Sequence, residues 1–134
     1  MSATAIDYAA MTPLEREFEE LRQRYLSATL RQVDGQWLVS IGDVALPAGW
    51  NKQTTGIHFL VPAGYPHANP DCFYVDADVR LANGNPPQNS AFQRLADLGE
   101  LLWFSYHLQR PWKPGRDRLS TWMATIIGRL ADAR

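Results

Sequence analysis

Apolar residues recur at helical spacing in two stretches of this 134-residue chain and alternate with polar residues between them. The first stretch repeats apolar side chains at steps of four, three and four: Leu14, Phe18, Leu21 and Tyr25. Thr12, Pro13 and Glu15 stand where a helix with a capping box would begin, because Pro favours the first helical position and Glu the third. The pattern predicts an amphipathic helix from residue 13 onward.

The second helical stretch lies near residue 134 and has the more regular spacing. Its apolar residues are separated by steps of three, one, three, one and three: Leu119, Trp122, Met123, Ile126, Ile127 and Leu130. We expect Asp117 to cap this helix and the apolar face of the helix to cover a sheet. Trp122 is therefore expected in the core.

Between the helices the hydrophobic period changes to two, which is typical of half-buried strands. From Ala28 the alternation runs into Asp34-Gly35, a dipeptide that favours a two-residue hairpin turn, and resumes after it. Further strands are predicted at 54–61 and 71–79. These elements predict an α+β fold with an N-terminal helix, a four-stranded antiparallel meander, a loop region and a C-terminal helix.

The loop region covers residues 80–111 and has weaker periodicity. Residues 80–89 are rich in turn-forming residues. A short helix is predicted to begin at Ser90 and to end at Gly99, since glycine often terminates helices. Residues 101–108 are apolar and aromatic, and they fit either a helix or an extended segment.

Composition excludes several classes of protein. The net charge of −1 leaves no basic excess for nucleic-acid binding, and no run approaches the roughly 20 apolar residues that a membrane span needs. One cysteine cannot form an internal disulfide, so a reducing, cytoplasmic location is expected. Residues 1–11 are expected to be a loose leader without the features of a signal peptide. The length fits a single domain over residues 1–134.

The proline-rich segment Val61–Tyr74 links two predicted strands. Tyr65-Pro66, Pro70 and Tyr74 follow the form of the Tyr-Pro link in the ubiquitin-conjugating enzyme (UBC) fold, and Trp112-Lys113-Pro114 follows that family's Trp-x-Pro corner. The chain resembles this fold over residues 13–131, in particular its divergent bacterial members. The resemblance implies a UBC-like domain in which residues 80–111 form an extended active-site region.

The sequence departs from the family pattern at the nucleophile. The family's catalytic cysteine lies about eight residues before the Trp of the corner, and this chain has no cysteine there. Cys72 is the only cysteine, and strand alternation predicts that it points into the core together with Tyr74. A buried thiol has a raised pKa and is a poor nucleophile, so Cys72 is expected to be structural.

Ser105 and His107 occupy the window where the nucleophile is expected. Ser105 lies seven residues before Trp112, and in an extended segment it would share a face with His107. A serine hydroxyl needs a base within hydrogen-bonding reach, and histidine is the usual residue for this role, which makes His107 the candidate in this window. The family's His-Pro-Asn tripeptide is absent, and Asn83 and Asn85 lie near its place.

The resemblance therefore implies two functions. In the first, a ubiquitin-like protein passes from an activating enzyme to Ser105 as an oxyester, His107 removes the hydroxyl proton, and the modifier then passes to a protein target. In the second, the chain is an inactive binding module that holds a ubiquitin-like protein or an activating enzyme. Reaction of Cys72 is a third possibility.

The other histidines carry weaker predictions. His58 lies in a predicted strand and is expected to face solvent or the opposite layer, and His67 lies in the Tyr-Pro link, where packing is its expected role. Positions 58, 67 and 107 share no spacing of metal ligands, and no phosphate-binding loop is present, so neither a metal nor another cofactor is expected.

Overall fold

The computed structural model describes residues 10–134, so the leader predicted at residues 1–11 lies almost entirely outside the described residues. Within that range the chain forms two α-helices and six β-strands. Their bounds are α1 Pro13–Arg24, β1 Thr29–Val33, β2 Gln36–Ala45, β3 Thr54–Val61, β4 Phe73–Val75, β5 Ser90–Arg94, β6 Glu100–Phe104 and α2 Leu119–Leu130. The strands make one antiparallel sheet in the order β1-β2-β3-β4-β6-β5.

Helix α1 begins as the sequence predicts. The Thr12 hydroxyl accepts a hydrogen bond from the Glu15 backbone N–H at 3.2 Å, and the Glu15 carboxyl accepts from the Thr12 N–H at 3.2 Å. This capping box satisfies two N–H groups that the first helical turn leaves without partners. Leu14, Phe18 and Leu21 are buried, which confirms the predicted apolar stripe.

The order of β1 to β4 is that of the predicted meander, but the predicted inward direction of Tyr74 is wrong, because Phe73 and Val75 are the buried residues of β4. Asp34 and Gly35 both have positive φ, 49° and 80°, as a two-residue turn between β1 and β2 requires. In β3 alternate residues from Thr55 to Val61 are fully buried against the helices. The single phase of burial fixes the register of β3, since a slip of one residue would turn its apolar side chains to the other face.

The region after the meander differs from the prediction of a short helix at Ser90. Residues 90–94 form strand β5, which pairs with β6, and β6 pairs in turn with β4. Leu95 is buried with Leu101, while Phe92 is about half exposed, so residues 90–99 do not present the single buried face that a helix would need. Tertiary pairing therefore overrides the local helical pattern, and the sheet has six strands instead of four.

Strand β4 is shorter than predicted and comprises only Phe73–Val75 of the expected 71–79. Phe73 and Val75 are buried on the helix side, and Phe73 stacks on Phe104 of β6 with ring centroids 4.7 Å apart. The strand ends at Val75, and the backbone N–H of the next residue, Asp76, donates to the Thr55 hydroxyl at 3.1 Å. Cys72 thus lies outside the strand, where alternation does not determine its direction.

Asp117 does not cap α2, contrary to the prediction. The N-cap residue is Arg118, and the buried Asp117 carboxylate instead accepts two hydrogen bonds from the Arg110 guanidinium, at 2.8 and 2.9 Å. The Lys113 N–H donates to the same carboxylate at 2.8 Å. Hydrogen bonds between a guanidinium and a carboxylate are stronger than the neutral bond that an N-cap side chain makes. The Asp117 carboxylate therefore stabilises the loop before α2 and does not cap the helix. Trp122 is fully buried, as predicted.

The Tyr-Pro link is fastened to both helices through Glu17. The Tyr65 hydroxyl donates to the buried Glu17 carboxyl of α1, which also accepts the N–H of Leu119 at 2.9 Å at the start of α2. Tyr65-Pro66 is a cis peptide, and the Trp112 indole donates to the Pro66 carbonyl at 2.9 Å. The two sequence motifs of the UBC resemblance therefore contact each other directly.

Replacing Tyr65 by Phe is expected to lower the free energy of unfolding by about 1–3 kcal/mol, because the partly buried Glu17 carboxyl loses a donor. Urea denaturation followed by circular dichroism measures this change. Tyr25→Phe is the matched control, since the Tyr25 hydroxyl bonds to no other described residue, and it should change the value by less than about 0.5 kcal/mol. Equal effects of the two substitutions would contradict the role of the Tyr65–Glu17 bond.

Asp117 should contribute to acid sensitivity. The hydrogen bonds from Arg110 have the largest effect on the Asp117 carboxyl, and those from Lys113 and Arg116 add to it. Together they hold the pKa of this carboxyl well below its usual range. A depressed folded-state pKa stabilises the fold above the unfolded pKa of about 3.9 and loses this effect as the pH falls toward the folded value. The stability difference between wild type and Asp117→Asn should therefore be constant from about pH 5 to 8 and shrink below about pH 4.

Urea denaturation across this pH range measures the difference, with Asp132→Asn as the control. Asp132 pairs with Arg134 at the surface, and its replacement should leave the acid dependence parallel to that of wild type. A difference for Asp117→Asn that stays constant down to pH 3 would be inconsistent with the depressed pKa.

Candidate functional site

Cys72 lies at the end of the sheet and is only half buried, which corrects the prediction that it points into the core. Its φ is +60°, a left-handed conformation that breaks the alternation before β4 begins. The Cys72 backbone N–H donates to the Tyr106 carbonyl at 3.0 Å, beyond the end of β6. This bond sets Cys72 beside residues 105–107, although they are more than thirty positions away in the sequence.

His107 and Asp71 complete a cluster around the thiol. The Cys72 sulfur, a ring nitrogen of His107 and a carboxylate oxygen of Asp71 all lie within 4.8 Å of one another. Nδ1 of His107 is hydrogen-bonded to Asp71 Oδ1. The His107 and Asp71 side chains are 62% and 53% exposed, so the cluster is open to a macromolecular substrate. A thiol, an imidazole and a carboxylate are the groups that an activated cysteine nucleophile uses.

The environment of the Cys72 sulfur contains opposing influences. Burial raises the pKa of the thiol most, and the negative charge of Asp71 raises it further. Hydrogen bonds from the Tyr106 backbone and the Trp103 side chain lower the pKa by favouring the thiolate, although they do not reverse the net rise. The raised pKa itself agrees with the prediction from the sequence. At neutral pH the group is therefore mainly a thiol, and the imidazole of His107 lies beside it.

Ser105 is half buried and immediately follows β6. Its backbone N–H donates to the Asn89 carbonyl at 2.9 Å, but no hydrogen bond joins its hydroxyl to His107. The Nδ1 atom of His107 faces Asp71 instead. The prediction that Ser105 and His107 share a face requires an extended strand. Residues 105–108 have no regular secondary structure, so that strand is not present there.

The remaining candidates lie in other settings. His67 is exposed, so its predicted packing role is wrong. His58 is half buried with Nδ1 2.8 Å from the Ser40 hydroxyl, and burial lowers its pKa. Asn83 and Asn85 are exposed and bond within their own turn, where the Asn85 N–H donates to the Asn83 side chain at 2.9 Å.

Comparison with known proteins places the chain in a family. A family model described as prokaryotic E2 family E matches residues 14–133, nearly the whole chain. The chain belongs to this family. No curated protein and no solved structure matches it. Membership of prokaryotic E2 family E supports a conjugating-enzyme-like role, with a modifier protein and an activating enzyme as the general kinds of partner.

The α+β class is confirmed by the two helices and the antiparallel sheet. Across residues 10–134, no helix combines the length and the apolar character needed to span a membrane.

Sequence reasoning missed Asp71 and misjudged Cys72. No local signal in the sequence distinguishes either residue, because the positive φ that turns Cys72 out of the alternation is visible only in the structure. Trp103 carried no signal of its role, since an indole N–H donor near a sulfur is visible only once β6 lies beside β4.

The rate at which iodoacetamide alkylates Cys72 should rise when the Asp71 charge is removed and fall when the Trp103 donor is removed. Removing the Asp71 charge with Asp71→Asn lowers the thiol pKa, so the rate at pH 7.5 should rise by about two- to tenfold. Trp103→Phe removes a donor and should slow the reaction. The wild-type rate should keep rising with pH above about 8.5, the ordinary thiol value. Mass spectrometry in metal-free buffer follows the single adduct, and equal rates in all three proteins would contradict this account.

Proposed function

We propose that this member of prokaryotic E2 family E carries a ubiquitin-like modifier as a thioester on Cys72, with His107 as the base and Asp71 as the residue that orients it. The observation that carries the proposal is the placement of the sulfur, the ring nitrogen and the carboxylate oxygen within 4.8 Å of one another. The family match supplies the class of reaction, and the cluster supplies the groups that such a reaction needs.

In the loading step the Cys72 sulfur attacks the C-terminal carbonyl of the modifier, which arrives as a thioester on the activating enzyme. The bond from this carbonyl to Cys72 forms as the bond to the activating enzyme's sulfur breaks. His107 takes the Cys72 proton and returns one to the departing thiolate, so neither acid nor base is consumed. Distances of this kind are often long before substrate binds and shorten in the complex.

Asp71 acts on this step through His107. Its bond to Nδ1 leaves the other ring nitrogen available to accept the thiol proton, and it stabilises the imidazolium that results. The N–H donors from Tyr106 and Trp103 stabilise the thiolate as it forms. In the second step, an amine of the protein target attacks the thioester and releases Cys72.

The oxyester on Ser105 is the second candidate, and it is supported by position. Ser105 follows β6 in the window before the Trp112 corner, and its hydroxyl has no hydrogen-bonding partner among the described residues. A serine hydroxyl is a weaker nucleophile than a thiol that has a neighbouring base, and His107 bonds to Asp71 rather than to Ser105. A binding module without covalent chemistry is the remaining alternative.

Loading with the cognate activating enzyme, ATP and modifier distinguishes these functions. Wild type should form a covalent adduct that is cleaved by thiol reductant, and Cys72→Ala should abolish the adduct while Ser105→Ala leaves it unchanged. His107→Ala should slow loading by about 100-fold, the usual contribution of a general base. Denaturing gel electrophoresis with and without reductant measures each result.

Each alternative predicts its own pattern. An adduct that resists reductant, is cleaved by hydroxylamine and disappears in Ser105→Ala would overturn the thioester in favour of the oxyester. The absence of any adduct, with an activating enzyme that demonstrably loads itself, would favour the binding module. His67→Ala is the matched histidine control, because His67 is exposed and lies outside the cluster.

A further inference from the structure

The same three side chains form a donor set for a transition-metal ion. A thiolate, an imidazole and a carboxylate are the ligands that Zn²⁺ takes in proteins, and here they come from Cys72, His107 and Asp71. Within residues 10–134, these are the three His, Cys, Asp or Glu side chains whose donor atoms lie close enough together to hold one metal ion. The convergence is a property of the fold, because the Cys72–Tyr106 backbone bond holds the two chain segments together.

The geometry requires little adjustment to bind an ion. Zinc-to-ligand distances of about 2.0–2.3 Å in a tetrahedral site put the donor atoms about 3.3–3.6 Å apart. The atoms here lie within 4.8 Å, so the side chains must close by little more than about 1 Å. Asp71 and His107 are more than half exposed and can rotate without disturbing the core.

Charge balance also favours a cation at this position. The Asp71 carboxylate opposes formation of the neighbouring Cys72 thiolate. A divalent ion between these two groups neutralises both negative charges and removes that repulsion. His107 then contributes a neutral nitrogen in place of the hydrogen bond that it makes with Asp71.

We propose that Asp71, Cys72 and His107 bind a borderline divalent transition-metal ion, Zn²⁺ by its ligand preference, in an open three-ligand site that blocks the thiol. Structural zinc sites are closed by four protein ligands, whereas this site has three and faces solvent. The ion can therefore enter and leave, and while it is bound it occupies the sulfur lone pair with which Cys72 attacks in acyl transfer. The blocking effect, but not the binding, rests on the proposed function.

Binding is tested with Co²⁺, a spectroscopic substitute for Zn²⁺, added to the reduced wild-type chain in chelator-free buffer. One equivalent should produce a sulfur-to-cobalt charge-transfer band in the near ultraviolet with tetrahedral bands in the visible, and one equivalent of Zn²⁺ should displace it. Cys72→Ser should lose the charge-transfer band, and His107→Ala should weaken binding by roughly tenfold or more. His67→Ala should bind as wild type does.

Absence of the charge-transfer band in folded wild type, or its persistence in Cys72→Ser, would overturn the metal site. Circular dichroism checks that each variant is folded, and Asp71→Asn provides a milder ligand change that should also weaken Co²⁺ binding. A band that is unaffected by both His107→Ala and Asp71→Asn would show thiol binding alone and would equally refute the three-ligand site.

The blocking effect is tested in the loading reaction. One equivalent of Zn²⁺ should lower the yield of the reductant-sensitive adduct at least tenfold relative to the metal-free protein. A zinc-selective chelator should restore the yield. The activating enzyme's own thioester, followed in the same lanes, shows that the ion acts on this chain. Metal binding without adduct formation in any condition would disprove the proposed function and leave the site intact, whereas adduct formation that Zn²⁺ does not slow would disprove the blocking.

Discussion

The buried Glu17 carboxyl is the contact on which the arrangement of this fold depends. It accepts the Tyr65 hydroxyl from the link after β3 and the Leu119 N–H at the start of α2, and it belongs to α1. Three parts of the chain that are far apart in sequence therefore meet at one side chain. Because the link leads directly into Cys72, the same contact helps to determine where the thiol lies.

The predictable parts of the fold are those in which local pattern and tertiary structure agree. The capping box at Thr12, the turn at Asp34-Gly35 and the burial phase of β3 each depend on local rules, and each is present. The β5–β6 hairpin was not predictable in this way, because its spacing fits a helix until β4 offers an edge for pairing. At Asp117 the local pattern predicts a helix cap, but the carboxylate binds the Arg110 guanidinium instead.

The candidate site was predicted only in part, and the reason is again long-range. The position of His107 in the sequence is enough to make it a candidate. Its hydrogen-bonding partner, however, is Asp71 and not Ser105. The prediction that Cys72 points into the core extends strand alternation one residue beyond the start of β4, to a residue whose φ is positive. No periodic rule locates such a residue, because its direction is set by the bond to Tyr106.

Pairing of β4 with β6 has a consequence for the order in which the molecule matures. The ribosome releases Cys72 well before His107, and until β6 aligns with β4 the thiol has neither its base nor the Trp103 and Tyr106 donors. A partly synthesised or partly folded chain would therefore carry an ordinary cysteine. In the proposed function, the base and the donors that acyl transfer needs are therefore assembled only once β6 has paired with β4.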